Sequence, residues 1–477
     1  MKKVAICLIF AGCSVGPNYR PPLNSISDTW ILPTESSERP LVKWWEVFGD
    51  ELLSKYIEEA AKHNNDVLTA TSNILQAKAM RQMVASAFFP QIGADVNATR
   101  TYFSKNGPVI AGADTAGVDS TPSTIPFNLQ FPQLQNLYNA VLDAIWEIDI
   151  WGKTRRQLES ATALVGEKIE MRNDVLISVM AEIANNYIGL RGLQKESQLI
   201  EENILLLEAE YFLIHKQYEV GYVSRLDDET IQAILATERA KLPELTAEIH
   251  RNIYTISILT GEVPEALLAE LIVPKDLPKI PENVAVGLRS ELLLRRPDVR
   301  KVERELAAAT ADVGVAVASF FPSLVLLGDG GFQSLLLNNL FSLASKTWSI
   351  GGDFNLPILQ GGKLIANLKA KRARVEAVAH TYQETVLKAL QETESAIISY
   401  NQDFKTIQEK TTAKNRYGDL VCLSRERYTK GLVSLLAFIE SERRYNQSEQ
   451  DLLASSTKAL LDTIFLYKAL GGGWQEI

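Results

Sequence analysis

Residues 218–224 read Tyr-Glu-Val-Gly-Tyr-Val-Ser and residues 428–434 read Tyr-Thr-Lys-Gly-Leu-Val-Ser, so the pattern Tyr-x-x-Gly-x-Val-Ser recurs after 210 positions. The same interval carries Gly152-Lys153 onto Gly362-Lys363 and Leu259-Thr260-Gly261 onto Ala469-Leu470-Gly471. One register held over about a hundred residues marks an internal duplication. Upstream, Phe88-Phe89-Pro90 matches Phe320-Phe321-Pro322 at an interval of 232, so the first copy holds 22 extra residues between Pro90 and Gly152. A fold tolerates an insertion of that size in a loop. The chain divides into a first repeat at 50–283 and a second at 284–477.

Proline is absent from Gln133 to Leu242 and from Ile358 to the end, which permits very long helices. Residues 153–218 are expected as one helix and 363–428 as its mate, each about 100 Å at 1.5 Å per residue. Ile169, Leu176, Ile183, Leu190 and Ile204 fall on a seven-residue spacing, beside a second row of Val179, Leu193, Ile200, Leu207 and Ile214. That is coiled-coil patterning, repeated less regularly by Leu390, Ile397, Phe404, Tyr400 and Ile407. The return legs are expected at 65–88 and 224–259, with mates at 297–320 and 434–469, and Pro243 should kink its helix. A tall rod of antiparallel helices results.

Between the helices the hydrophobic period changes from 3.6 to 2, giving strands at about 91–102, 138–150, 323–333 and 346–357. One face of the second reads Tyr138, Ala140, Leu142, Ala144, Trp146, and the other carries Asn139, Asp143, Glu147 and Asp149. Each strand is long enough to cross a bilayer when tilted. A soluble antiparallel sheet would alternate in the same way. Phe88, Phe89, Phe320, Phe321 and Trp151 at the helix-to-strand junctions favour a membrane, where they would form an interfacial girdle. Four strands cannot close a spanning barrel, and lipid forbids open edges. Two chains would give a barrel filled by its own side chains, whereas three leave room for a channel. If the apolar faces meet lipid, Asp95, Asp143, Glu147, Asp149, Asp329 and Asp353 form an acidic pore wall. Residues 104–136, rich in Gly and Pro, read as a long outer loop; the matching stretch Ser334–Ser345 is unexpectedly apolar.

Lys2 and Lys3, the apolar run Val4–Phe10 and Ala11-Gly12-Cys13 resemble a bacterial lipoprotein signal at 1–12, with Cys13 as the lipid-attachment residue and 13–49 as an anchored extended segment. The alternative is an ordinary secretory signal with a chance cysteine. A net charge of −9 argues against nucleic acid as partner. Four scattered histidines lack ligand spacing, so no metal or other cofactor is expected. Gly152-Lys153-Thr154 copies the end of a phosphate-binding loop, but Glu147 stands where that loop needs Gly. No catalytic constellation stands out, and the chain reads as a non-enzyme.

The segments Cys13-Ser-Val-Gly-Pro-Asn-Tyr-Arg-Pro, Trp44-Trp45-Glu-Val-Phe-Gly-Asp50, Arg289-Ser-Glu-Leu-Leu-Leu-Arg-Arg-Pro-Asp298, Leu356-Pro-Ile-Leu-Gln-Gly-Gly-Lys363 and Leu470-Gly-Gly-Gly-Trp474 run from end to end. On these the chain resembles the TolC-like outer-membrane efflux factors, in the lipoprotein branch that serves resistance-nodulation-division pumps. The resemblance implies an α-helical coiled coil joined to a transmembrane β-barrel. In it a homotrimer builds a 12-stranded barrel in outer-membrane lipid and a 12-helix periplasmic tunnel, docked to a periplasmic adaptor and an inner-membrane pump. It makes Gly221, Tyr222, Val223, Gly431, Leu432 and Val433 the adaptor-docking tips. It also carries a periplasmic gate onto Asp227, Tyr428 and Glu440, while Val433 and Ala437 replace the family's arginine and one acid. A Tyr428–Asp227 hydrogen bond is therefore expected, against the plainer reading that Asp227, Asp228 and Glu229 only favour a helix start. A duct for type I protein secretion and a pore-less coiled-coil scaffold are the alternatives.

Overall fold

The computed structural model describes residues 14–22, 30–31, 42–104, 106, 132–281 and 283–474. The signal, Cys13 and most of the inserted loop lie outside those residues. The chain forms two compact units, and both draw on both repeats. The boundary between repeats at 283 and 284 is thus not a boundary between spatial units, because elements of the two copies assemble together, as where the strand Leu134–Glu147 of the first pairs with Ser323–Ser334 of the second.

The first unit takes residues 78–162 and 307–376 together with the N-terminal stretch up to Tyr19. It holds a four-stranded antiparallel sheet in the order β1 (Gln91–Tyr102), β2 (Leu134–Glu147), β3 (Ser323–Ser334), β4 (Lys346–Asn355). β1 and β3 stand at the interval of 232 seen in the sequence. β2 departs from expectation: it starts four residues earlier than 138 because its ladder to β1 continues to Tyr102–Leu134. It also stops at Glu147 because Asp149 is captured by the following helix. β4 ends at Asn355, two residues before Pro357, which has no N–H to donate to a ladder.

The second unit is helical and comprises residues 20–77, 163–306 and 377–477. Its helices are α1 (Glu51–His63), most of α2 (Asn65–Ala85), most of α3 (Lys153–Glu219), α4 (Arg225–Leu259), the short α5 (Leu268–Leu271) and α6 (Arg289–Arg295), part of α7 (Pro297–Ala318), most of α8 (Lys363–Thr429), and α9 (Leu435–Ala469). Helices α3 and α8 are 67 residues each and α4 and α9 are 35 each, so the repeats agree to the residue. Pro243 sits inside α4, and the helix continues past it to Leu259.

The coiled-coil rows are where the packing is. Leu176, Ile183, Leu190, Val179, Ile200, Leu207 and Ile214 are buried, while Ile169 at the start of the row is exposed. Leu176, Ile183 and Leu190 join a core with Trp44, Trp45, Tyr56, Ile253 and Tyr467, so elements of both copies share one interior. Trp44 stacks on Tyr467 with ring centroids 5.5 Å apart. A smaller core of Ile200, Ile204, Leu207, Ile214, Ile231, Leu235 and Ile439 fills the space where α3 meets α4 and α9.

Several buried polar groups in the second unit are paired. The Arg191 guanidinium, fully buried, donates to the Val273 carbonyl at 3.0 Å and to Gln194 Oε1 at 2.7 Å. Tyr187 donates to Asp50 at 2.6 Å while Asp50 caps α1 through the Leu52 and Leu53 N–H groups. Burial, then that hydrogen bond, pushes the Tyr187 hydroxyl well above its ordinary range.

Candidate functional site

Cross-strand partners lie on the same side of a sheet, so the strand register sorts the side chains into two faces. Gly93 pairs with Asp143, Asp143 with Asp329, and Val325 with Asp353, which puts Asp95, Asp143, Glu147, Asp329 and Asp353 on one face. No Lys or Arg of the strands shares that face. Gly93 leaves space for the Asp143 carboxylate: a Cβ there would stand 2.7 Å from Asp143 Oδ1. Asp95 accepts from Asn97 at 2.7 Å, and Asp329 accepts from Ser349.

The opposite face carries Ile92, Val96, Leu142, Trp146, Leu326, Trp348, Ile350 and Phe354, with Arg100 and Lys346 near the strand ends. Apart from the half-buried Trp146, these apolar side chains are uncovered, Ile350 being 83% and Val96 78% exposed. An apolar surface of this kind calls for a partner or a membrane. The outer edges of β1 and β4 are unpaired among the described residues.

At the helix-side ends of the strands two of the expected wall acids are engaged. Glu147 pairs with Lys153 at 3.0 Å. Asp149 lies beyond β2, is nearly buried, and accepts from the Thr154 and Arg155 N–H groups at the start of α3 and from Arg155 Nε at 3.1 Å. It therefore serves as a helix cap, a role that a two-residue alternation read past the strand end could not distinguish from a wall position. Beside it Trp151 stacks on Phe321 at 4.7 Å and donates to the Pro322 carbonyl at 2.8 Å. The chain just after Cys13 is held here too. Val15 N–H donates to the Trp151 carbonyl, and the buried Arg156 guanidinium binds the Val15 carbonyl at 3.2 Å and Asn18 Oδ1 at 2.6 Å.

The two helix tips are built alike. Gly221 (φ 81°) and Gly431 (φ 72°) end α3 and α8 in the left-handed region, which a residue with a Cβ enters only at a cost. Each turn closes with paired bonds, Tyr222 N–H to Gln217 O and Leu432 N–H to Arg427 O, both at 2.8–2.9 Å. Ser224 and Ser434 then cap α4 and α9. Tyr222 (84% exposed) and Leu432 (70%) project from the tips, whereas Val223 packs partly onto the small core behind them and Val433 is half-buried.

The expected Tyr428–Asp227 hydrogen bond does not form within the chain. Asp227 instead accepts from the Ser224 N–H at 3.0 Å and Oγ–H at 2.7 Å in a capping box, which uses up its nearest geometry locally. The Tyr428 ring lies flat on Phe438, centroids 5.6 Å apart and planes 6° from parallel. Glu440 is held by Arg443 and Arg444, each at 3.0 Å, and their hydrogen bonds lower its carboxyl below the ordinary range. The plainer reading of Asp227 as a helix-start residue is the one seen within the chain.

Two contacts had no sequence signal. His215 Nδ1 lies 3.0 Å from the buried Asp228 Oδ1. Glu210 of α3 meets Glu442 of α9 carboxyl to carboxyl. Burial first, then the shared hydrogen bond and the charge of Glu442, push Glu210 up to about 8. These pairs join positions that the repeat interval does not relate, so neither periodicity nor duplication exposes them.

The family model described as outer membrane efflux protein matches residues 56–262 and 288–472. A probable efflux pump outer membrane protein, TtgC of Pseudomonas putida, is 27% identical over 98% of this chain and 94% of its own length. The pyoverdine export outer membrane protein OpmQ of Pseudomonas aeruginosa is 28% identical over 99% and 96%. Among solved structures the outer-membrane channel OprN superposes with a TM-score of 0.86 at 29% identity, covering 97% of this chain and all of that one. The Campylobacter jejuni CmeC channel gives 0.85 at 23% identity, over 97% and 95%, a likeness of fold.

Proposed function

The chain belongs to the outer membrane efflux protein family, and on that premise we propose that it is the outer-membrane channel of a tripartite efflux pump. Three copies join their four-stranded sheets edge to edge into a 12-stranded barrel, because β1 and β4 each leave an edge that lipid cannot solvate. The observation that carries this reading is the sorting of the sheet into one exposed apolar face and one acidic face free of strand Lys and Arg. The apolar face meets lipid and the acidic face lines water. Helices from the three copies continue the duct into the periplasm, where an adaptor connects it to an inner-membrane pump.

Transport through the channel is passive; the pump supplies the energy. Relatives are named for toluene in one case and pyoverdine in another, and we take the cargo here to be small toxic compounds delivered by the pump. The tip residues Tyr222 and Leu432 are the adaptor contacts, with Gly221, Val223, Gly431 and Val433 shaping the turn beneath them. Closure of the periplasmic end is assigned to the tips around Tyr428, Asp227 and Glu440. Lipid on Cys13 would suit the anchoring of Val15 to Trp151, which keeps the chain start at the strand ends where an aromatic belt sits.

The deciding experiment is reconstitution of the purified trimer into planar bilayers. Discrete single-channel steps from a heat-modifiable trimer are expected. A trimer that binds lipid but carries no current would favour a scaffold and sink the channel.

A further inference from the structure

We propose that the β3–β4 hairpin loop, residues 335–345, lies on the outer leaflet with its apolar side chains inserted among the acyl chains, and does not stand in water above the barrel. The inference rests on the reading that the apolar strand face meets lipid, and goes beyond it to a segment outside the strands.

The loop reads Leu-Leu-Leu-Asn-Asn-Leu-Phe-Ser-Leu-Ala-Ser and contains no charged residue. Only Leu340 is buried; Leu335, Leu336, Leu337 and Phe341 are exposed, and Leu343 is 90% exposed. A connection that faced water would have no physical reason to present five uncovered large apolar side chains in nine residues.

Its direction is set by one ring contact. Phe341 meets Phe332 edge-on at 5.7 Å, and Phe332 pairs with Lys346 on the same sheet face as Trp348 and Ile350. The loop therefore bends over the apolar face, making one continuous surface with it, and away from the acidic face. Lys346 stands at the foot of the loop on that side, where a long side chain can carry its ammonium to the headgroups.

Part of the loop backbone is paired internally, as suits a position at the membrane interface. The loop forms two tight turns, Leu337–Asn339 and Leu343–Ser345. The N–H groups of Asn339, Leu340, Ser342 and Ser345 all donate to carbonyls inside the loop. Ser345 Oγ donates to the Asn339 carbonyl at 2.7 Å, and Ser334 Oγ both accepts from Leu336 N–H and donates to the Leu336 carbonyl. Irregular backbone is excluded from the hydrocarbon core, so the loop's remaining N–H groups keep its backbone at the headgroup level while its apolar side chains reach into the acyl region.

The test places a fluorophore on Leu343→Cys, and separately on Leu337→Cys, in a chain that keeps Cys13 and carries Cys422→Ser, the Cys422→Ser chain alone giving the background label. Ile350→Cys on the strand face and Tyr222→Cys at the helix tip serve as references. Trimers are reconstituted in phosphatidylcholine vesicles with brominated acyl chains, and quenching is compared with that by aqueous iodide. The expected result is that brominated lipid removes most of the emission at 343 and 337, as at 350, while iodide quenches them several-fold less than at 222. Loop probes quenched by iodide, with 350 quenched by lipid, would overturn the loop assignment alone. Loop probes shielded from both agents would mean that a neighbouring copy covers the loop, and overturn it equally. A probe at 350 that brominated lipid does not reach would overturn the strand-face assignment as well.

Discussion

His215 Nδ1 lies 3.0 Å from Asp228 Oδ1, tying the last turns of α3 to the first turn of α4 across the tip. The repeat mates of these residues are Arg425 and Phe438, where the same position holds a guanidinium over a ring at 5.7 Å. Duplication preserved the contact and changed its chemistry. Asp228 is buried and also accepts from Gln232 Nε2 at 3.0 Å, so Asp228→Ala removes two bonds to a charged acceptor. The expected loss is about 1.5–3 kcal/mol of local stability, or roughly tenfold to a hundredfold faster amide exchange near 212–232. Exchange near 422–442 should not change; equal acceleration at both tips would contradict a local role.

Adaptor docking predicts a separation of assembly from transport. Tyr222 and Leu432 project from turns that are closed by backbone bonds and are not needed for the core. Tyr222→Asp with Leu432→Asp should abolish drug tolerance in cells while the yield of trimer stays at the parental level. Retained tolerance would remove these residues from the docking surface.

Glu210 makes helix packing depend on pH. Its folded-state carboxyl is raised from 4.5 to about 8, chiefly by burial, so between those values the folded chain holds a proton that the unfolded chain releases. The contribution to stability is full below the unfolded value and is lost as pH rises through about 8. Thermal unfolding of the parent should therefore move to lower temperature between pH 5.5 and pH 8.5. Glu210→Gln keeps a hydrogen-bond donor without the charge and should flatten that dependence. An unchanged slope in the variant would assign the effect elsewhere.

Ion selectivity separates the free wall acids from the engaged ones. Asp143 and Asp329 are direct cross-strand partners on the acidic face, whereas Glu147 is offset by Lys153. The parent should prefer cations, and Asp143→Asn with Asp329→Asn should reduce the reversal potential in a salt gradient by roughly half. Glu147→Gln should shift it little. Anion preference in the parent would reverse the assignment of faces.

The tip of the second repeat makes a distinct prediction about closure. Because the Tyr428 ring is stacked on Phe438, Tyr428→Phe should leave conductance near the parental value. Tyr428→Ala loses the stack, worth about 0.5–1.5 kcal/mol beyond its buried area, and should raise conductance and sensitivity to bulky antibiotics. If Tyr428→Phe alone opens the channel, the hydroxyl holds the gate through a neighbouring copy.

Much of this protein is determined by local sequence. Helix ends at Gly221 and Gly431, caps at Ser224 and Ser434, and the alternation in β1 and β3 depend on residues within a few positions of one another, and they stand where the sequence puts them. The interval of 210 is itself a local regularity copied twice, which is why α3 and α8 agree to the residue. Tertiary structure decided what each charged side chain does with its charge. Arg191 is tied to the Val273 carbonyl 82 positions away, and Tyr187 donates to Asp50 137 positions away. A carboxylate takes the nearest well-oriented donor, and which donor is nearest is set by how helices and strands from two copies pack, as in the meeting of Glu210 with Glu442.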